Sequence, residues 1–362
     1  MAYENCVVEN KTFDEERAFY GARNVKVKNV SIDGPADGES AFKECRDVEC
    51  KDCFFNLRYP FWHDHNLAIE NCEMTELCRA ALWYSENIRI KNVKMHGIKA
   101  LRECKNVTID SCDIVSPEFG WSTHGINMAN SHAESEYFMM RATAIRFKNV
   151  DFKGKYSFQY IKDAVFEDCN FDTKDAFWHA ENVLVKNCVV KGEYLAWYCD
   201  GVTFDHCKII GTQPLCYCKN LKLIDCEMID CDFAFERSDV EATVTTPVIS
   251  VKNVKDGFVT VNGGIEEGGA DLMSNNGGTY RGTQLDDHST YTKLGKVTLP
   301  LRKDFLLIDC GVNPDDPYDT IKVAQETYLK KVKEYKRYFS PLNTKVLIKQ
   351  GSIVSIIRRW IP

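Results

Sequence analysis

The 362-residue chain predicts a mainly β fold, a single-stranded parallel β-helix taken in its common right-handed form. Three observations predict it: a motif recurring every 19 residues, period-two alternation of apolar and polar residues inside each repeat, and an Asn or Asp closing each alternation. "VLVKNCVVKGEYLAWYC" (Val183 to Cys199) and "VTFDHCKIIGTQPLCYC" (Val202 to Cys218) place Cys, Gly and a terminal aromatic or Cys pair in nearly the same order. The residue after each corner, which is Asn or Asp except at Ser111 and His206, runs Val30, Cys53, Cys72, Val93, Cys112, Ser131, Val150, Cys169, Cys188, Cys207, Cys226 and Val254. Every interval from Cys112 to Cys226 is 19 residues, as is Cys53 to Cys72, while longer intervals such as Val30 to Cys53 mark insertions. A fixed period near 20 residues marks a solenoid.

Each element follows from this repeat. "NVKVKNV", "NLAIENC", "NIRIKNV", "NVTIDSC", "AIRFKNV", "NVLVKNC" and "NLKLIDC" alternate as half-buried strands do. Asn and Asp tolerate left-handed backbone and bond their own main chain, which suits a sharp corner repeated on every coil. Three short strands per coil, each stacked on its equivalent in the next, are expected. The N-terminal segment "TFDEERAFYGA" has capping-box spacing at Thr12 and Glu15, and predicts a short amphipathic helix covering the open end. The domain division is residues 1–262 for the β-helix with its cap, 263–295 for a Gly- and Asn-rich linker, and 296–362 for a basic α/β segment. In the last segment, Asp304 to Val312 and "TKVLIKQG" read as strands. A helix is expected after Asp316 and Pro317, with Ile321, Tyr328, Val332 and Tyr335 on one face. Its apolar end, "SIVSIIRRW", is expected to pack or to mediate association.

Composition excludes several classes of function. With 44% hydrophobic and 27% charged residues, and no uncharged run long enough to span a bilayer, a soluble globular protein is expected, cytoplasmic and without a membrane partner. Residues 296–362 hold 13 Lys or Arg against 7 Asp or Glu, net +6, and residues 1–295 hold 33 against 46, net −13. The acidic solenoid argues against nucleic acid as partner. Oligomerisation through a solenoid face or the C-terminal segment remains open.

The 17 cysteines are read as core residues. Seven occupy the column above, and Cys45, Cys104, Cys199 and Cys218 each precede a member by eight residues. One small apolar residue type repeated in register packs a narrow interior, and parallel side-chain directions disfavour disulfides. Cys50 and Cys53 form a lone C-x-x-C, but Cys53 belongs to the column, so no metal and no cofactor is expected.

Ligand-binding candidates come from a second periodicity. Gln159, Trp178, Trp197 and Cys216 recur at 19 residues, beside Tyr160, His179, Tyr198 and Tyr217, and "YPFWH" (with Trp62) and "ALWY" (with Trp83) continue the stripe on earlier coils. A charged set accompanies it: Arg58, Arg79, Lys99 and Arg102, then Glu118, Lys155, Lys174, Asp175 and Glu193. Exposed aromatic rings flanked by charges form a groove for an oligosaccharide or acidic sugar. The same tryptophans could instead fill the core or an interface, and the charges could be a solvated face. Mixed acids and bases would also serve an eliminase, so catalysis stays open and no catalytic residue is assigned. "RIK" (Arg89 to Lys91) and "HG" (His124, Gly125) echo polygalacturonase fragments in reversed order, without the paired aspartates that hydrolysis needs. "GGIEEGG" lacks the Gly-Lys-Ser/Thr of a phosphate loop.

Nine strings, among them "DGPADGES", "FFNLRYPFWH", "EMTELCRAALWY", "HGIKALREC", "SPEFGW", "KGKYSFQY", "DTKDAFW", "KGEYLAWY" and "GTQPLCYCK", carry a family resemblance. Over about residues 1–260 the chain resembles the uncharacterised bacterial family called domain of unknown function 3737. The resemblance implies a right-handed β-helix related in shape to pectate lyases, and it implies no catalytic residues. Two functions follow as expectations: a carbohydrate-binding or carbohydrate-processing protein, or a protein-interaction scaffold without chemistry.

Overall fold

The computed structural model describes residues 3–34, 39–252 and 254–262, together with the strands Ala270–Asp271, Gly278–Thr283, Lys296–Leu301, Phe305–Leu307, Pro341–Lys349 and Ser352–Trp360. The chain divides into two units, Met1–Val190 and Lys191–Pro362.

Unit 1 is a parallel β-solenoid. Six-residue strands such as Arg23–Lys28, Arg46–Lys51, His65–Glu70, Glu86–Lys91 and Lys105–Asp110 pair in succession, each with the next coil. Their side chains alternate outward and inward, so Val25, Val48, Leu67, Ile88, Val107, Ile126, Ile145, Ala164 and Val183 form one buried column. A shorter strand follows on the next side, as in Phe54–Asn56, Glu73–Met74 and Lys94–Met95, and buries Phe55, Met74 and Met95.

Between these two sides the chain turns at an Asn or Asp in left-handed backbone, among them Asp52 (φ 55°), Asn71 (φ 52°) and Asn92 (φ 51°). The corner amides bond from coil to coil: Asn71 Nδ2 donates to Asp52 Oδ1 at 3.0 Å, and Asn92 Nδ2 to Asn71 Oδ1 at 2.9 Å. A second ladder precedes the long strands, with Asn66 donating to Asp47 at 2.8 Å and Asn87 to Asn66 at 3.0 Å. The left-handed backbone is thus favoured by residue type and rewarded by a bond.

The third side differs from expectation. Among the described residues of unit 1 it pairs as strands only at Phe42–Lys43 with Phe61–Trp62, continued by a single bridge from Trp62 to Trp83, and elsewhere it is a turn with alternate residues left-handed, as in Tyr156 (φ 56°), Phe158 (φ 57°) and Tyr160 (φ 58°). Its amides still bond along the stack, for example Tyr160 N to Trp178 O at 2.8 Å. The left-handed steps break the two-residue alternation, so this side turns neighbouring side chains outward while Phe158 and Phe177 stay inside, stacked at 5.0 Å.

The N-terminal helix is also absent among the described residues. Thr12–Phe13 is a short strand and the residues after it form an ordinary third side. Arg17 N and Phe19 N donate to Glu39 O and Ala41 O of the next coil, and Phe19 stacks on Phe42 at 4.5 Å inside the core. Pairing with the neighbouring coil satisfies the amides that a helix would have satisfied internally.

Phenylalanine fills the interior: Phe138, Phe147, Phe152, Phe158, Phe166 and Phe171 are fully buried. Each such ring contributes on the order of 2 kcal/mol by burial. The cysteines complete the core: every described one except Cys6 is buried, and none of the described ones forms a disulfide. Cys72 Sγ accepts from Cys53 N at 3.4 Å, and Cys188 Sγ from Cys169 N at 3.2 Å, so each thiol lies against the preceding coil's backbone.

Unit 2 repeats the plan. Asp200–Asp205, Leu221–Ile229, Asp239–Val244, Asp256–Val261 and Gly278–Thr283 pair in parallel order. Gly278–Thr283 falls in the stretch read as a linker and extends the solenoid sheet, and Lys296–Leu301 then pairs antiparallel to it. The described C-terminal residues form a three-stranded antiparallel sheet in the order 305–307, 352–360, 341–349. The α/β reading of residues 296–362 is therefore not reproduced: "SIVSIIRRW" is the central strand, and the expected helix after Pro317 lies outside the described residues.

Candidate functional site

The third side of unit 1 gathers the chemistry-bearing residues. Coil-to-coil bonds align Arg58 with Arg79 through Tyr59 N to Arg79 O, Trp62 with Trp83 through His63 N to Trp83 O, and Trp83 with Arg102 through Tyr84 N to Arg102 O. The column continues to Trp121 through Glu103 N to Trp121 O. Trp62 and Trp83 lie 5.1 Å apart between ring centroids, and the Arg102 guanidinium sits 4.6 Å from both the Trp83 and the Trp121 rings. Four coils thus carry one continuous stack of indole, indole, guanidinium and indole, with cation–π attraction on both faces of Arg102.

Glu118 fixes the cation from the side. Its carboxylate meets Arg102 Nη2 at 2.9 Å and Lys99 Nζ at 3.4 Å, all three side chains being about a quarter exposed. Arg102 Nε is buried without a hydrogen-bond partner, so the guanidinium is held by ring contact and one carboxylate. The indole N–H groups are anchored too: Trp83 Nε1 donates to Lys99 O and Trp121 Nε1 to Tyr137 O, both at 2.5 Å.

A neighbouring column repeats the stacking with smaller rings. His63 lies on Tyr84 at 4.9 Å, and Tyr160 on His179 at 4.8 Å with planes 8° apart. These distances match the ordinary spacing of adjacent strands, about 4.8 Å. Ring faces therefore meet one another along the stack, and ring edges and polar tips meet solvent. Trp62, Trp83, Trp121 and Trp178 are half-buried, so these tryptophans do not fill the core, and Trp83 and Trp121 each turn a ring face to Arg102. Tyr160 is exposed at 44%, and His63 is exposed too.

The charges separate into paired and unpaired groups. Arg58 pairs with Glu39 at 3.1 Å and Lys155 with Glu136 at 2.9 Å. Lys174 is exposed, whereas Asp175 is buried rather than on the charged surface. Arg79 and Arg141 are exposed and have no carboxylate partner among the described residues. Arg141 lies 6.0 Å from the Tyr160 ring.

In unit 2, Trp197 is half-buried and donates from Nε1 to Gln213 O at 2.8 Å, while Tyr198 stacks on Tyr217 at 4.9 Å. Glu193 is exposed in the same unit. Trp178 and His179 belong to unit 1.

Trp121 is a member of the stack that the sequence-based site left out, and Arg102, expected only among the accompanying charges, lies between the rings themselves. The signal was present: Trp83, Arg102 and Trp121 are spaced at the same 19 residues as Trp178 and Trp197. Unit 1 also carries an open groove of about 510 Å³ at its opposite corner, lined by polar residues including Asp52, Asn71, Asn92, Lys94 and Ser111. Among the described residues no three His, Cys, Asp or Glu side chains converge as metal ligands.

No curated protein matches the sequence. Among solved structures, the A-module of the mannuronan C-5 epimerase AlgE4 from Azotobacter vinelandii is similar over 66% of this chain and 90% of its own, at 11% identity and a TM-score of 0.32. The tailspike protein of E. coli bacteriophage HK620, in complex with a hexasaccharide, matches 73% of this chain and 68% of its own, at 9% identity and a TM-score of 0.38. PfbA, a surface adhesin of Streptococcus pneumoniae, matches 62% and 72%, at 11% identity and 0.30. Residues 6–268 match the family described as protein of unknown function DUF3737, and the chain belongs to that family.

Proposed function

We propose that the third side of unit 1 is a carbohydrate-binding face for an acidic oligosaccharide, carried on a right-handed β-helix. The observation that carries this reading is the placing of two exposed guanidinium groups without a carboxylate partner, Arg79 and Arg141, beside columns of stacked aromatic rings. A planar guanidinium matches a carboxylate in a two-pronged bond, which suits a uronate better than a neutral sugar. The ring faces inside the stacks are covered, so the sugar is held at ring edges, through Tyr and His polar tips, rather than by lying between indoles. Side chains repeating at about 4.8 Å along the stack suit a ligand that is itself an extended repeat. The free thiols support a reducing compartment, the cytoplasm.

The test is intrinsic tryptophan fluorescence during titration with hexagalacturonate and with cellohexaose. A saturable response to the acidic hexamer is expected, weakened at least about tenfold in an Arg79→Ala, Arg141→Ala double variant, since a charge-assisted bond contributes roughly 1.5–3 kcal/mol. Equal responses to both hexamers would overturn the acidic preference. The second reading, an interaction scaffold without chemistry, is favoured by the mutual covering of the rings and by the ion pairs of Glu118. It gains if neither hexamer binds the folded protein.

A further inference from the structure

One buried carboxylate lies directly beneath the aromatic stack and breaks the rule of its own column. The position just before the long strand holds Ala22, Cys45, Asp64, Ser85, Cys104, Thr123, Ala142, Ile161 and Ala180 in successive coils of unit 1, all of them buried. Asp64 is the single charged residue type in that column and is 1% exposed. A carboxyl in such a place is costly unless its oxygens are used.

Both oxygens are used. Oδ1 accepts from Cys45 N at 2.8 Å, one coil below, and Oδ2 accepts from Trp62 N at 3.1 Å, two residues back in its own coil. Asp64 N in turn donates to Ser85 Oγ at 3.0 Å, and Ser85 Oγ donates to Trp83 O at 3.3 Å. The first of these contacts is replaceable. Ser131 Oγ accepts from Cys112 N at 3.0 Å in the corner column, and in unit 2 Ser238 Oγ accepts from Cys218 N at 2.9 Å. The second contact, back to Trp62 N, needs the extra reach and the second oxygen of a carboxyl. It falls on the coil where the third side is extended into the Phe61–Trp62 strand instead of turning.

We propose that Asp64 is a positioning residue of the candidate site, tying the Trp62 backbone from inside the core so that its indole stands in register on Trp83. The proposal rests on the carbohydrate-binding reading only for its effect on a ligand; the effect on the indole pair is independent of it. Ser85, one coil above, reaches only the Trp83 carbonyl, so a tie to the main-chain N–H of an indole-bearing residue is particular to Asp64 in this column among the described residues.

The test compares Asp64→Ser with Trp62→Phe. Serine keeps an acceptor for Cys45 N, as the unit 2 precedent at Ser238 indicates, and loses only the reach to Trp62 N. The expected result is an unchanged far-ultraviolet circular dichroism spectrum with loss of most of the near-ultraviolet signal that Trp62→Phe removes. Hexagalacturonate binding is expected to weaken by about five- to tenfold, the worth of one hydrogen bond. Should Asp64→Ser fail to fold, Asp64→Cys restores the residue type of Cys45 and Cys104 and carries the same comparison. A wild-type near-ultraviolet spectrum in the folded variant overturns the proposal. A changed spectrum upholds it even where the wild-type protein binds neither hexamer, an outcome that overturns the carbohydrate reading alone.

Discussion

Asp64 also has a pH signature. Burial pushes its carboxyl well above the usual range, the charge of Glu44 adds to the rise, and the N–H groups of Cys45 and Trp62 oppose it. Below about pH 4 the carboxyl is protonated in both folded and unfolded chains, so the group costs least there. As pH rises, the unfolded chain releases this proton first, and stability falls until the folded carboxyl ionises too. Urea unfolding of the wild type and Asp64→Ser between pH 4 and 8 is therefore expected to move in favour of the variant as pH rises. A difference between the two that stays constant across this range would show that the carboxyl does not titrate on unfolding. The Cys45 thiol, also pushed up by burial and by Asp64, is the group facing it from below.

At the scale of the element, the corner amides separate two contributions that sequence alone merges. Asn71 sits at φ 52°, donates to Asp52 and accepts from Asn92. Asn71→Gly loses both bonds but keeps the backbone, whereas Asn71→Ala loses the bonds and strains the backbone by about 1–2 kcal/mol more. The expected order of urea midpoints is wild type, then Gly, then Ala. Gly and Ala midpoints that coincide would mean the corner is held by side-chain bonding alone.

The elements also explain what the sequence revealed. Strand alternation in "NVTIDSC" and left-handed Asn at the corners follow from residue type and short-range sterics, so a period of 19 residues exposes them directly. The third side obeys a different rule, alternating left-handed residues as varied as Tyr156, Phe158, Leu101 and Glu118, none of which announces that backbone. That is why a third strand was expected and why Arg102 was placed among the accompanying charges rather than in the stack, since its role there depends on rings from the coils on either side. Asp64 escaped for a related reason: its partners are main-chain N–H groups, which leave no mark in a side-chain pattern. The capping-box spacing at Thr12 was a local signal overruled by pairing with the next coil.

For the molecule as a whole, the thiols offer a check on both units at once. Fifteen of the sixteen described cysteines are buried, and Cys6 is partly exposed. Burial pushes the Cys78 thiol up to about 11 and the Cys104 thiol up to about 12, which further slows reaction with a thiolate-selective reagent. Mass spectrometry after brief native labelling is expected to find Cys6 modified and the buried set untouched until denaturant is added. Native labelling at Cys53 or Cys188 would contradict the packed interior.

The coil-to-coil pairing joins residues a small, nearly constant distance apart in the chain: Lys105 to His124, His124 to Thr143 and Thr143 to Lys162 are each 19 residues. Sheets elsewhere often bring together strands from remote parts of a sequence, and the entropy of closing those long loops makes them slow to assemble. Within the solenoid each closure spans about one coil, so a nucleus of adjacent coils can grow outward one coil at a time, each new turn templated by the exposed edge of the last. A β-solenoid of this kind folds with the locality of a helical protein, and during synthesis its early coils can be complete before the later ones have left the ribosome.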